Sequence, residues 1–597
     1  MIHPARLAAA FLLLSLSVPA HALPKERDNW IRLDTDHFVV FSNAGERVAR
    51  RTAANLERLR DVLSQISAGT QLGSPQPMYI YLFSSRVSFA PYRPAVNGRP
   101  MEVDGYFYSR DDAEYMVLRA DAGEATDNIL YHEYLHYVLR NNFTNLPVWF
   151  NEGMAELYAT FQATDDYANI GRPSASHIQW LRDNSLIPLK QLFAMDRNSK
   201  DYNEGYRRGV FYAESWALVH YLTLGNEARS AQTARFFHEM TQGVPASEAF
   251  RRTFDTDEAT LEKELRDYAH RSLFNYKRIP VKPESRIEAR VAPLSWPETL
   301  TRLGDLLMLG DASQIPEADR HYRQALAAQP GFGPALGGLC RIEAAQGRPA
   351  LDCFAKAAEA TPDDFTIQYE YARALLAQPQ VDGIAALQAR NALARAVKLQ
   401  PDHGQAWVQL AYTLTYKEVL EPGDLPAFET AHRLAPNEPA GASNLVWAYA
   451  RLGQRDRAAE LIEKEIVPRG DPEEIRNAWQ TWVSASGEKA GTLLEHGKLE
   501  EAVPILQELA RRAPAEHTVL VRQQLAEVEH ALAYNRFVGR YNEAVELVNA
   551  GKLEEGRAIL QDLAANAPAP EQAESARRLV EQVDGILKTR KGSKKKP

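Results

Sequence analysis

Four prolines, Pro330, Pro362, Pro401 and Pro436, recur at spacings of 32, 39 and 35 residues, and the residues before them repeat as well. Ala318 and Ala325 precede the first proline at the offsets that Ala350 and Ala357 keep to the second and Ala389 and Ala396 to the third; Ala431 keeps the nearer offset to the fourth. An aromatic residue or Leu stands eight positions before each proline: Tyr322, Phe354, Leu393 and Phe428. Trp407, Leu410 and Ala411, and then Tyr449, Gly453 and Ala458, fill the corresponding places of two further helices. A period of this length means small supersecondary units, none of which can bury its apolar face alone and which stack to make one continuous core.

The pattern resembles the tetratricopeptide repeat, in which small residues let two helices pack closely, and it predicts a helical solenoid over residues 301–470. A second repetition follows. Gly497-Lys498-Leu499-Glu500-Glu501 returns as Gly551-Lys552-Leu553-Glu554-Glu555, 54 residues later. That interval is too long for one helix pair, so an additional helix is expected around Val519 to Asn535, and residues 471–587 read as diverged units of the same kind. Six of the last ten residues are Lys or Arg, and residues 588–597 read as a disordered basic tail.

The chain has 597 residues, too many for a single core. Its beginning reads as a signal peptide, residues 1–22: His3 and Arg6, an apolar run from Leu7 to Val18, then Ala20-His21-Ala22 as a small-x-small cleavage site. The run is shorter than the roughly 20 residues a membrane span needs, and no later segment is apolar enough to span. The protein is therefore expected to be exported, periplasmic or secreted, with no transmembrane segment. Only Cys340 and Cys353 occur, and an oxidising compartment permits a disulfide between them as readily as two buried thiols. A net charge of −9 gives no reason to expect nucleic-acid binding.

Residues 23–276 mix strand and helix signals. Trp30 to Leu33, Phe38 to Phe41 and Met78 to Phe83 read as strands, and Glu46 to Ile66 as an amphipathic helix. Gly105–Tyr108 and Tyr115–Arg119 are expected to pair as a hairpin, with helices from Ala125 onward. Pro280, Pro283, Pro293 and Pro297 crowd residues 277–300, which read as a Pro-rich linker.

Within the first helix after the hairpin lies His132-Glu133-Tyr134-Leu135-His136, an HExxH motif. Residues i and i+4 share a helix face, so both imidazoles can reach one ion, while Glu133 stands beside it, free to take a proton from water. Downstream comes Trp149-Phe150-Asn151-Glu152-Gly153-Met154-Ala155-Glu156. A catalytic zinc takes three protein ligands and keeps one position open, which makes Glu152 the natural third ligand. Glu156, a turn later, is placed to hydrogen-bond a ligand histidine. Gly153 and Ala155 are small enough to let this helix approach the first.

HExxH followed by W-x-x-E-G-x-A-E resembles the gluzincin metallopeptidases, and especially the bacterial peptidase-MA-like domains found with tetratricopeptide repeats. The resemblance covers residues 125–225 well and implies one zinc ion held by His132, His136 and Glu152, with Glu133 as general base. It also implies Tyr212 as the donor that steadies the oxyanion. His220, on the same helix, reads as structural or partly exposed. Gluzincins place an edge strand near the metal helix to pair with extended substrate, and Tyr115–Arg119 is the segment at that place. The connection between His136 and Glu152, 15 residues, is shorter than in the best-known members. No Gly-Ala-Met-Glu-Asn motif precedes His132, so aminopeptidase activity is not implied.

The fold class expected is an α+β zincin-like metallopeptidase domain followed by an all-α tetratricopeptide-like helical solenoid. The function expected is hydrolysis of peptide bonds in a peptide or protein substrate, with a protein partner on the repeat array. The alternative is a catalytically idle metal-binding envelope scaffold that acts through its repeats.

Overall fold

The computed structural model describes residues 23–593 apart from 68–69, 74–75, 111–112, 144–145, 165, 197–198, 200–204, 243, 282–287 and 437. The expected signal peptide and the last four residues lie outside the described residues. Two compact units emerge, residues up to 417 with 430–437, and residues 418–429 with 438 onward.

The first unit is built on a mixed sheet. Its strands are β1 (Ile31–Asp34), β2 (Phe38–Ser42), β3 (Met78–Phe83), β4 (Gly105–Ser109) and β5 (Glu114–Arg119). A small second sheet holds β6 (Gln162–Ala163), β7 (Tyr167–Ile170) and β8 (Lys277–Pro280), and β9 (Arg290–Pro293) returns to the first. The order in the large sheet is β9-β1-β2-β3-β5-β4. β2, β3 and β5 run parallel, with Val40 opposite Ile80 and Ile80 opposite Met116, and the outer pairs are antiparallel.

Strand side chains alternate between faces, and here both faces are apolar. Val40, Ile80, Leu82, Met116 and Leu118 join one core with α1 (Glu46–Ile66), whose Ala49, Ala53, Leu56, Leu59 and Val62 recur at helical spacing. Phe41, Tyr81, Phe83, Tyr115 and Val117 face the other way and join a second core with Leu300, Leu303, Leu307 and Tyr322. The first repeat helices thus cover the back of the sheet.

The segment expected as a Pro-rich linker, 277–300, is therefore structured at both ends. Ile279 pairs with Ala168 in the small sheet, and Pro293 lies opposite Ile31 at the edge of the large one. Both proline-bearing strands are edge strands, where a missing N–H costs no ladder bond. Pro297 sits in the first turn of the helix Trp296–Leu307, whose N-cap is Ser295; proline suits that position because its N–H would have no helical partner.

Helices then succeed one another at Trp296–Leu307, Ile315–Ala328, Gly333–Ala345, Leu351–Ala360, Phe365–Leu376, Gly383–Leu399 and Gly404–Leu414, each packed on the next. Pro330, Pro362 and Pro401 fall in the turns that join the pairs. Ala318, Ala325, Ala357, Ala389 and Ala396 are buried between helices, as are Tyr322, Phe354 and Leu393. Tyr322 shows why small residues recur: a Cβ on Gly304 or Gly338 would fall within 2.8 Å of its ring. A disulfide joins Cys340 to Cys353 across neighbouring helices, with Cα atoms 5.6 Å apart.

In the second unit the repeated Gly-Lys-Leu-Glu-Glu marks one local structure used twice. Gly497 and Gly551 follow the ends of long helices with φ of +70° and +80°, a left-handed stop that glycine adopts without strain, and new helices open at Leu499 and Leu553. The extra helix is longer than expected, a continuous Val519–Asn549. The last helix runs Pro570–Ser593, past residue 588, where a disordered tail was expected to start. No helix among the described residues is long and apolar enough to cross a membrane.

Candidate metal centre

The helix that carries HExxH, α2 (Glu124–Asn142), buries Leu130, Tyr131, Tyr134, Leu135, Tyr137 and Val138 and is held on several sides. His132 and His136 share the side that meets α3 (Val148–Ala159), which opens directly after Pro147. Their Nε2 atoms stand 2.9 Å apart with the rings nearly perpendicular. Glu152, 4% exposed, directs Oε2 to 3.2 Å from His136 Nε2 and 3.5 Å from His132 Nε2. Three donor atoms bound tetrahedrally at zinc's usual ~2.0–2.1 Å must lie about 3.3–3.4 Å apart, so the triangle has the right size for a single ion.

The outer nitrogens decide how the rings are used. His132 Nδ1 lies 3.3 Å from Glu156 Oε1, and His136 Nδ1 lies 3.2 Å from Asn151 Oδ1. Each of these oxygens accepts, so each Nδ1 carries the proton and each Nε2 turns a lone pair inward. In that state two imidazole lone pairs and a carboxylate oxygen converge on one point, a donor set that could hold a cation. Without an ion, the carboxylates around His132 favour positive charge on the ring itself. Burial opposes its charge, yet Glu156, Glu133 and Glu152 outweigh burial and push its pKa up to about 9. Glu156 is buried, which favours its neutral form, yet His132 and His177 hold it well below the usual carboxylate range.

Of the three donor residues, His132 lines a cleft of about 580 Å³, together with Glu133, Glu156, His177, Trp180 and Tyr212, among others. Tyr212 reaches it from α5 (Gly205–His220), its ring centroid 6.3 Å from that of His132. Arg208, one turn earlier, lays its guanidinium 5.5 Å from the centre of the Tyr212 ring. The structure therefore brings together all six residues singled out from the sequence: His132, Glu133, His136, Glu152, Glu156 and Tyr212.

No protein-family model matches the chain, and no curated protein matches it. Among solved structures it is similar to YrrB, a tetratricopeptide-repeat protein with an unusual peptide-binding site, at 22% identity over 30% of this chain and 89% of that one, with a TM-score of 0.25. It is also similar to Pseudomonas aeruginosa PilF, at 16% identity, 39% and 96% coverage and a TM-score of 0.26. Yeast Tom70 aligns at 13% identity over 77% of this chain and 86% of that one, with a TM-score of 0.20. Scores this low carry no argument about this chain.

Three expectations need correction. Glu114–Arg119 is not an edge strand: it pairs on one side with β3 and on the other with its hairpin partner β4, which takes the edge. Val103, Asp104 and Gly105, at the start of β4, line the cleft instead. Gly153 does not serve the contact with α2. A Cβ there would lie 2.3 Å from the Ser215 carbonyl oxygen and 2.5 Å from Val219 Cγ2, so the glycine lets α3 press against α5. The connection from 277 to 300 is sheet and helix at its ends, as described above.

Of the two readings left open for His220, structural or partly exposed, the structure supports the first. It is fully buried, its Nε2 donates to the Gly171 carbonyl at 2.9 Å, and its Nδ1 accepts from the Tyr268 hydroxyl at 2.8 Å. Burial holds its pKa below the ordinary value. Two contributors escaped the sequence reading. Asn151 was visible only as part of the Asn-Glu-Gly run between Phe150 and Met154. His177, in α4 (Ala175–Asp183), carried no spacing signal, because its link to the centre is made through Glu156.

Proposed function

We propose that this chain is an exported zinc metallopeptidase of the gluzincin type, and that its α+β portion is a zincin-like domain. The observation that carries the reading is the convergence of His132 Nε2, His136 Nε2 and Glu152 Oε2, with both outer ring nitrogens on oxygen acceptors. When bound there, zinc polarises a scissile carbonyl and acidifies water.

The protein's own groups supply the rest. Glu133, in the cleft wall beside His132, takes the proton of the attacking water and passes it to the leaving amine. Tyr212 donates its hydroxyl to the oxygen on which negative charge develops, a contribution worth about 2.7–4 kcal/mol where such a donor is preorganised. The edge strand β4 offers backbone hydrogen bonds to an extended peptide without demanding particular side chains. Export is supported by the signal-like residues 1–22 and by the Cys340–Cys353 disulfide. The helical repeats supply a surface for a protein partner, away from the faces already spent on the sheet.

The test is Glu133→Gln. Its expected result is one zinc per chain by elemental analysis and loss of at least a hundredfold in cleavage of casein or a peptide library. Equal cleavage by wild type and variant rejects the mechanism. The second reading, a scaffold with an idle metal site, is favoured by the length of the helical array from Trp296 to Ser593; stoichiometric zinc in a wild type that cuts no peptide pool would establish it.

A further inference from the structure

We infer that His177 is a positioning residue of the metal centre, anchoring the second oxygen of Glu156 so that the first holds His132 in its ligating tautomer. The inference rests on the zinc reading above and extends it to a residue on a separate helix.

Glu156 divides its two oxygens between two histidines. Oε1 lies 3.3 Å from His132 Nδ1, and Oε2 lies 2.8 Å from His177 Nε2. The terminal torsion of a glutamate is broad, so one hydrogen bond to one oxygen leaves the carboxylate plane poorly fixed. A donor on the second oxygen removes that freedom and aims Oε1 at the ligand ring. His177 is itself fixed. Its backbone N–H donates to the side chain of the N-cap Ser174, and its ring lies 5.7 Å from that of Trp216 on α5. The chain of contacts therefore runs from α5 and α4, through Glu156 on α3, to the zinc-binding face of α2. Outer partners that touch a ligand commonly tune metal affinity by about 10–100-fold, and a residue one step further removed is expected to give less, about 3- to 10-fold.

Zinc affinity of the full-length protein, measured by competition with a chelator, provides the test. His177→Leu is expected to weaken zinc about 3- to 10-fold, and His177→Asn, polar but too short to reach Glu156, to do the same. His177→Gln, which places a donor near the position of Nε2, is expected to stay within about twofold of wild type. In a Glu156→Ala background His177→Leu is expected to change nothing further, because its route to the ligand is gone. Should His177→Leu fail to fold, the Asn and Gln pair carries the same comparison. Wild type that takes up no zinc overturns the metal centre and this inference with it. Wild type that binds zinc alongside a folded His177→Asn that binds it as tightly overturns the inference alone, as does a loss that persists without Glu156.

Discussion

Glu214 shows how much a single buried group changes the behaviour of the helix that carries Tyr212. Its side chain is fully buried, with Oε2 accepting the Ile187 N–H at 2.6 Å. Burial raises its pKa, the Ile187 bond works against the rise, the nearby Glu262 adds to it, and the balance lies at about 8. Between the ordinary value of 4.5 and about 8 the folded chain keeps this proton while the unfolded chain releases it. The folded state then binds the extra proton, so stability is greatest below 4.5, falls as pH rises through that window, and levels off above 8. Glu214→Gln keeps the shape and removes the acid. Thermal unfolding should find the variant close to wild type at about pH 5 and several degrees more stable at about pH 8. A wild-type fall in the variant would place the pH dependence elsewhere.

At the scale of elements, the contact of α3 with α5 is the least forgiving near the site. A methyl group on Gly153 meets the Ser215 backbone oxygen at 2.3 Å, and backbone cannot swing aside as a long side chain does. Gly153→Ala gains roughly 1 kcal/mol of helix propensity but must part the two helices, at about 1–3 kcal/mol for overpacking of this kind. Because Glu152 is the neighbouring residue, the variant should lose zinc affinity as well as melting temperature; a more stable variant with unchanged zinc binding would contradict this packing. The repeats hold a comparable element. Arg341 bridges Asp305 and Glu370, joining the first helices of three successive pairs, and Tyr322 donates to Asp305 at 2.8 Å. Arg341→Met leaves two partly buried carboxylates without their cation and should cost about 3–5 kcal/mol in denaturant unfolding. The two cases mark what sequence could disclose. His132, His136, Glu152 and Glu156 were legible because each pair is set by i to i+4 spacing along one helix, and the repeat alanines because their period is local. The partner of Gly153, Ser215, lies on another helix far along the chain, and whether β4 or β5 faces solvent depends on which of them β3 accepts. His177 lines the cleft but reaches the ligand His132 only through Glu156, from a helix with no motif of its own, so no spacing could announce it.

For the whole molecule, the sheet is the point at which site and repeats become one structure. A chain divided at its prolines would end the first domain near residue 276 and treat the next stretch as a tether. Instead β9 closes the large sheet beside β1, and Leu300, Leu303, Leu307 and Tyr322 lie against Phe41, Tyr81, Phe83, Tyr115 and Val117. Arg302 adds its guanidinium over the Phe41 ring, 5.3 Å from its centre. A sheet apolar on both faces cannot stand with one of them in water. A variant ending at residue 294 should therefore aggregate or bind hydrophobic dyes, while one ending at residue 437 should stay soluble with a cooperative melt. Leu303→Asp in the full chain tests the same interface without a deletion. The residue is 1% exposed, so the substitution sets an unpaired charge against the aromatic face of the sheet. The expected result is a melting transition lowered by ten degrees or more, with zinc released in the same transition, since β3 and β5 pack on α1 and α2 through their opposite face. Zinc release that stays at the wild-type temperature while the repeats unfold would show that the sheet stands without them, and the two parts would have to be treated as independent domains.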